Sequence, residues 1–423
     1  MGINTVGVIG LGYIGLPTAA ILASKDVKVI GVDVNSSTVE AVNRGDVPFV
    51  EPDLATYVAG AVRQGALRAT ETPEPADAFI VAVPTPFHGD HEPDLSYIRA
   101  AAEAVASVLQ GGELLILEST SPPGATRKMA EWVLEARPDL SLDGAGGRPR
   151  IHVAHCPERV LPGRVMIELV TNDRIVGGLT PEAAEMAKQL YAVFCQGEIL
   201  LTDAKTAEMA KLVENSFRDV NIAFANELSL IADKVGVDVW ELIRLANHHP
   251  RVNILQPGPG VGGHCIAVDP WFLVDAAPDD ARMIRTAREV NDHKSHWVVT
   301  RTLTAIEGKD RPTVAMLGLS FKADIDDLRE SPAVQVVADV AKRRPDAEVL
   351  VVEPYVDSLP PSLAELANIR LTGLDQAISS PDIAVLLTDH RPFADAIGKL
   401  RGLANLYDTR GFLSRFDQIS AQD

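Results

Sequence analysis

Thr5-Val6-Gly7-Val8-Ile9-Gly10-Leu11-Gly12-Tyr13-Ile14-Gly15 decides the fold. The short apolar run Thr5–Ile9 reads as a strand buried in a parallel sheet. Gly10-x-Gly12-x-x-Gly15 follows, and a helical stretch runs through Ala19–Ala23. Alone, this glycine pattern is weak. Here it lies between a strand and a helix, and the next strand, Val27–Val32, ends at Asp33. In that setting it is a dinucleotide cradle: a tight turn, close pyrophosphate approach, helix packing, and phosphate at a helix N-terminus. Asp33 would accept hydrogen bonds from the adenosine ribose hydroxyls and repel a 2′-phosphate, which predicts NAD over NADP. The bland reading is a tight strand–helix turn with no cofactor; the full βαβ context weighs against it.

Further strands, clearest at Ala78–Val83, Leu114–Glu118 and Ile151–His155, alternate with helices to about residue 180. That is a doubly wound sheet. The pattern then changes. Met209, Leu212, Val213, Ser216, Val220, Ala223 and Leu228 recur at helical spacing, with no Gly or Pro across 204–235. A helix of that length, well above the usual mean, bridges domains or packs in a subunit interface. Its apolar stripe is wider than one chain's core requires, which predicts a homodimer built on it. More helix follows to about residue 300. After the linker Gly308–Pro312, a second α/β alternation begins at Thr313–Leu317, with strands at Val349–Val352, Ile383–Leu387 and Leu406–Tyr407. The two α/β regions are alike in kind, but no repeat is visible at the residue level.

The expected architecture is therefore α/β: two Rossmann-like doubly wound domains joined by a long central helix and a helical dimerisation domain. The expected divisions are a cofactor domain at 1–200, a helical central domain at 201–308 and a second Rossmann-like domain at 309–423. The length of 423 residues suits this, as does a composition that is 46% hydrophobic but only 5% aromatic. The formal charge of -19 argues against a nucleic-acid partner. Three cysteines make no disulfide framework, so a reducing, cytoplasmic setting is expected. Residues 1–10 read as strand rather than signal peptide, and no apolar stretch is long enough to predict a membrane span.

Gly258-Pro259-Gly260-Val261-Gly262-Gly263-His264-Cys265 carries the second chemical signal, with Asp269 four residues on. A thiol lifted on a glycine-rich loop is open to close approach by a ligand. A hydride acceptor together with a thiol nucleophile suggests carrying an alcohol past the aldehyde to an acid. The thiol captures the aldehyde as a thiohemiacetal, a second hydride leaves, and water cleaves the thioester. By itself Cys265 reads more simply as a small buried hydrophobe, as Cys156 and Cys195 do. Lys211 and Asn215 are four apart on the long helix and could hold an oxyanion; alone, they read as a solvated charge beside a polar neighbour. Glu158, just after a strand, is an acid/base candidate. The loops Val83-Pro84-Thr85-Pro86 and Glu118–Gly124 follow parallel strands, where ligand crevices form; ordinary proline turns explain them equally well. His248, His249 and His264 have no ligand-like spacing, and no metal site is proposed.

Together these motifs resemble the UDP-glucose/GDP-mannose dehydrogenase family of NAD-dependent nucleotide-sugar 6-dehydrogenases, from residue 5 to about 415. Ala154–Gly163, Glu214–Asn221 and His249–Asn253 carry the finer likeness, to members acting on N-acetylated sugars. The resemblance implies that Cys265 is the nucleophile and that Lys211 and Asn215 stabilise the oxyanion. It implies that Asp269 positions water or assists proton transfer, and that Thr120 and Glu158 lie near the hydrolytic water. Gly10, Gly12, Tyr13, Ile14, Gly15, Asp33, Pro84, Thr85, Thr120 and Arg329 are implied at the cofactor. Glu158, Arg159, Val160, Lys211, Asn215, Arg251, Asn253, Gly260, Gly262, Gly263, Lys322 and Arg410 are implied at the substrate. Arg251 is expected to reach the sugar site of the partner subunit. One departure stands out: UDP-glucose enzymes carry a second Glu four positions after the first, where this chain has Pro162.

The expected function is four-electron oxidation of UDP-N-acetyl-D-mannosamine at C6 to the uronate, with two NAD per sugar. UDP-N-acetylglucosamine and UDP-glucose are the rival substrates. A catalytically silent nucleotide-sugar sensor is the rival of another class; the joint presence of Cys265, Lys211, Asn215 and Asp269 argues against it.

Overall fold

The computed structural model describes residues 2–415 except Asp90, Pro162, His264 and Cys265. Its contacts divide the chain into two compact units, residues 1–214 with 271–277 and residues 215–270 with 278–423.

The first unit is built on an eight-stranded sheet in the order Ile199–Asp203, Arg174–Gly178, His152–His155, Leu114–Leu117, Ala78–Val81, Thr5–Ile9, Lys28–Val32, Leu67–Thr70. Every pairing is parallel except that of His152–His155 with Arg174–Gly178. Strand alternation sorts the side chains onto two faces. Ala78, Ile80, Leu114 and Ile116 join one core, and Phe79, Val81, Leu115 and Leu117 join the other. Because these strands run parallel, the loops after Ile9, Val81, Leu117 and His155 emerge at one edge of the sheet.

The second unit holds a five-stranded, wholly parallel sheet in the order Ile369–Leu371, Glu348–Val352, Thr313–Leu317, Ile383–Leu386, Leu406–Asp408. Its start repeats the first sheet residue by residue, contrary to the expectation of no such repeat. Thr5–Ile9 pairs with Lys28–Val32 in the register in which Thr313–Leu317 pairs with Glu348–Val352. Gly10 and Gly318 both have positive φ, +94° and +93°, and each donates its N–H at 2.8 Å to the last carbonyl of the neighbouring strand. Leu11 N–H donates to Asp33, and Leu319 N–H donates to Glu353. The likeness hides in sequence because Ser320 and Ala323 stand where the first loop has Gly12 and Gly15.

The long helix spans Ala204–Val235 without a break, as its composition predicts. Its buried face mixes apolar Ala207, Leu212 and Ala223 with Glu208, Lys211, Asn215, Asp219 and Asn226. Val213, Phe217, Phe224 and Ile231 are exposed on it, Phe217 to 68%. Among the described residues no helix is long and apolar enough to cross a membrane.

Candidate active site

The glycine cradle fits a dinucleotide. A Cβ on Gly10 would lie 2.4 Å from Ala82 O, and one on Gly15 only 1.8 Å from Gly10 O, so neither position takes a side chain. Gly12 is the opposite: nothing lies within 4 Å of its Cβ position, which leaves the backbone open to a pyrophosphate. The helix Gly15–Ala23 has no side-chain cap at its start, so its N-terminus keeps the positive end of the dipole for phosphate. Asp33 accepts Leu11 N–H through Oδ2 and Asn35 N–H through Oδ1, both at 2.9 Å. Those two bonds aim the carboxylate, which retains acceptor capacity for ribose hydroxyls. Tyr13 packs on Phe49, ring centroids 4.3 Å apart.

Two neighbouring loops are tied to each other. Thr85 Oγ1 donates to Thr120 O at 2.5 Å, and Ser119 Oγ donates to Val83 O at 2.6 Å. Glu208 fixes the far end of the second loop, accepting Gly124 N–H at 2.5 Å, Thr126 N–H at 2.7 Å and Thr126 Oγ1–H at 2.6 Å. That carboxylate caps the helix Ala125–Ala136 and occupies its N-terminus. Below this edge, Glu118 is fully buried 3.6 Å from Arg174, whose guanidinium lies over the Tyr191 ring. Burial pushes the Glu118 carboxyl up to about 7, against the pull of Arg174.

Lys211 and Glu158 form a buried ion pair, Nζ to Oε1 2.9 Å, each side chain's residue 6% exposed. Glu158 Oε2 also accepts Val160 N–H at 3.1 Å. Arg159 turns to Glu214, with Nη2–Oε1 2.8 Å and Nε–Oε2 3.1 Å, and donates to Asp173 O at 2.9 Å. Its own carbonyl accepts from Asn172 Nδ2 at 2.7 Å. Glu51 holds the next turn through Gly163 N–H at 2.9 Å and Val165 N–H at 2.8 Å. Pro162, at the position of the second carboxylate in UDP-glucose enzymes, lies outside the described residues.

In the second unit Asn215 Nδ2 donates to Asp269 Oδ2 at 2.5 Å, and both side chains are buried. Asn215 is one helical turn beyond Lys211. Cys265 lies outside the described residues, but the loop before it is described. Gly262 and Gly263 pack against Phe321, and a Cβ on Gly258 would lie 2.5 Å from Arg410 Nη1. Lys322, next to Phe321, is half-buried; Arg251 and Asn253 are exposed. Arg329 pairs with Asp327, and Arg410 with Asp389 at 3.1 Å. Glu208 and Glu51 were not singled out from the sequence, and Glu118 was named only as the first residue of a loop; the partners that bury Glu208 come from Gly124 and Thr126, far away in the chain.

The cradle, with Asp33 behind it, on a parallel α/β sheet is the arrangement of a dinucleotide-binding protein. Comparison with known proteins makes the class specific. The NAD binding domain of the UDP-glucose/GDP-mannose dehydrogenase family matches residues 4–195, its central domain residues 205–293 and its UDP binding domain residues 315–415. The chain belongs to this family and is an NAD-dependent UDP-sugar dehydrogenase. An NDP-N-acetyl-D-galactosaminuronic acid dehydrogenase of Ralstonia nicotianae is 57% identical over 412 residues, 97% of this chain and 96% of the relative. The UDP-N-acetyl-D-mannosamine dehydrogenase of Escherichia coli K12 is 56% identical over 402 residues, 93% and 95% of the two chains. Among solved structures, a UDP-D-ManNAc dehydrogenase from Pyrococcus horikoshii superposes with a TM-score of 0.86 at 38% identity, covering 96% of each chain.

Proposed function

We propose that this chain oxidises UDP-N-acetyl-D-mannosamine at C6 to the uronate, using Cys265 as a covalent nucleophile. NAD, when bound, supplies the hydride acceptor for both oxidations, two per sugar. The chain's residues do the rest. The Cys265 thiolate adds to the aldehyde carbon, giving a thiohemiacetal, and its oxygen becomes the developing oxyanion. Lys211 and Asn215, one turn apart on a single helix, donate to that oxygen. After the second hydride has left, water attacks the thioester carbon and the thiolate departs. Glu158 takes the proton from that water, with Thr120 holding it, and Asp269 orients Asn215. Arg329 serves the cofactor; Lys322 and Arg410 serve the nucleotide, and Arg159, Val160, Asn253, Gly260, Gly262 and Gly263 the sugar.

The buried Lys211–Glu158 pair is the observation that most favours this reading. Two groups of opposite charge are sequestered together, and a buried ion pair is often no more stabilising than apolar residues of the same volume, so stability alone does not account for it. The side chain of Arg159 is engaged by Glu214 and Asp173, so its part in an acetamido pocket falls to the shape of the turn it holds. A homodimer fits the exposed stripe Val213, Phe217, Phe224 and Ile231, with Arg251 reaching the site of the second copy. Three cysteines without a disulfide framework fit a reducing compartment. A second reading, the acetylated galactosaminuronic sugar nucleotide in the name of the Ralstonia relative, is favoured by an identity as high as that to the mannosamine enzyme.

Cys265→Ala tests the chemistry. It should abolish uronate formation, since no thioester can form. Uronate release by that variant near the wild-type rate would refute covalent catalysis.

A further inference from the structure

We infer that a buried polar ladder between the helices Ala204–Val235 and Arg282–Ala305 is a positioning device for the glycine loop that leads to Cys265. Its kinetic consequence rests on the reading of Cys265 as nucleophile; its structural consequence does not.

Asp219 and Asn226 lie seven apart on the first helix, and Arg288, Asn291 and Ser295 three and four apart on the second, so each set shares a face. Arg288 Nη1 donates to Asp219 Oδ1 at 2.7 Å, and Asn291 Nδ2 donates to the same oxygen at 2.8 Å. Asn226 Nδ2 donates to Asn291 Oδ1 at 2.8 Å, and Asn226 Oδ1 accepts Gly258 N–H at 2.9 Å. Ser295 Oγ donates to Pro259 O at 2.9 Å, and Arg288 Nη1 reaches Ile266 O at 3.5 Å. The ladder therefore ends on main chain on both sides of the segment between Gly258 and Ile266. All five side chains are more than nine-tenths buried.

Two physical points make this more than core packing. A buried Arg–Asp pair gives two helices no better adhesion than apolar residues of the same volume, so adhesion does not account for it. The loop, in contrast, needs outside anchors. Gly258, Gly260, Gly262 and Gly263 have no side chains to pack, and glycine backbone has the most freedom to lose. The fit is close: a Cβ on Gly260, at φ +149°, would lie 2.7 Å from Ser295 Oγ. Asn226 uses its amide once as donor and once as acceptor, and Asn291 donates to both Asp219 O and Asp219 Oδ1 and accepts from Asn226, so flipping Asn226 breaks two bonds and flipping Asn291 three. The direction of every bond is fixed, and so is the place of the Gly258 N–H.

Asn226→Leu removes the acceptor for Gly258 and the donor to Asn291 while keeping the branched shape; Ser295→Ala deletes one hydroxyl and leaves folding to the rest of the chain. Both full-length variants are compared with wild type by hydrogen exchange of residues 256–268, by the rate of Cys265 alkylation with iodoacetamide, and by kcat and the KM for NAD. Exchange in that segment should quicken while the flanking helices stay protected. Since small misplacements of a reacting group cost up to about 10²-fold, kcat should fall about tenfold or more in Asn226→Leu and about threefold in Ser295→Ala, with the KM for NAD within about twofold. Wild-type exchange in a folded variant overturns the ladder. Faster exchange with unchanged kcat overturns the positioning role. Should Asn226→Leu not fold, Ser295→Ala decides by the same readouts. Full wild-type activity after complete alkylation of Cys265 overturns the nucleophile reading instead, and leaves the exchange result standing on its own.

Discussion

Lys211→Met separates what the buried pair does for stability from what it does for turnover. Methionine keeps helix propensity and most of the volume, and it deletes the ammonium 2.9 Å from Glu158 Oε1. Removing one partner of a buried pair costs about 3–5 kcal/mol if the other stays charged. The expected destabilisation is therefore about 3–5 kcal/mol. Turnover should fall by about 10²–10³, the usual loss for one oxyanion donor. The double variant Lys211→Met with Glu158→Gln should recover most of the stability and none of the turnover. Urea unfolding at pH 7, alongside NADH production, reads all of this. Wild-type stability of Lys211→Met at pH 7, or restored turnover in the double variant, would refute the reasoning.

Other changes probe separate parts of the molecule. Asp33→Ala should weaken NAD binding and narrow the preference over NADP, because the proposed role of the carboxylate is both to bond ribose and to repel a 2′-phosphate; a wild-type enzyme that prefers NADP would contradict this. Phe217→Asp or Phe224→Asp should break the proposed homodimer, read by light scattering; a wild type that is monomeric and fully active at assay concentration would overturn that account. Lys294 is buried, and desolvation lowers its ammonium pKa from 10.5 to about 8. Between those values the unfolded chain binds the extra proton, so stability should rise with pH from about 8 to 10.5, by about 3 kcal/mol in all. Lys294→Met should flatten that rise in denaturation curves, and an unchanged slope would show that Lys294 is not its source.

Local features were legible in the sequence. The first strand, glycine loop and Asp33 announce the cradle, because the backbone chemistry of that turn is set within thirty residues. The long helix was legible to its ends, since nothing inside 204–235 breaks it. Its faces were legible in part. Of the stripe read from the sequence, Leu212, Ser216 and Ala223 are buried and only Val213 is exposed, but Glu208, Lys211, Asp219 and Asn226, which that stripe left out, are buried too, and Phe217, Phe224 and Ile231 point outward. The polar residues lie inside because their partners come from far along the chain: Glu158 for Lys211, Thr126 for Glu208, Arg288 for Asp219. No periodicity encodes such pairings. The strands Leu67–Thr70, Arg174–Gly178, Ile199–Asp203 and Ile369–Leu371 were not singled out for a similar reason: polar or glycine positions interrupt their apolar runs, and neighbouring strands complete their hydrogen bonding. The repeat between the two glycine loops was masked by two substitutions, while register and hydrogen bonds preserved it.

The most direct measurement of the central claim is the stoichiometry and efficiency of NADH formation with limiting sugar nucleotide and excess NAD. The account predicts two NADH per UDP-N-acetyl-D-mannosamine, with the uronate as product. It also predicts a catalytic efficiency on UDP-glucose lower by up to about 10⁴, since a site built for a polar substituent rejects the analogue lacking it. Two NADH per UDP-glucose at equal or better efficiency would leave the family assignment standing and contradict the substrate assignment. One NADH per sugar, with the aldehyde released, would contradict the thiol chemistry itself.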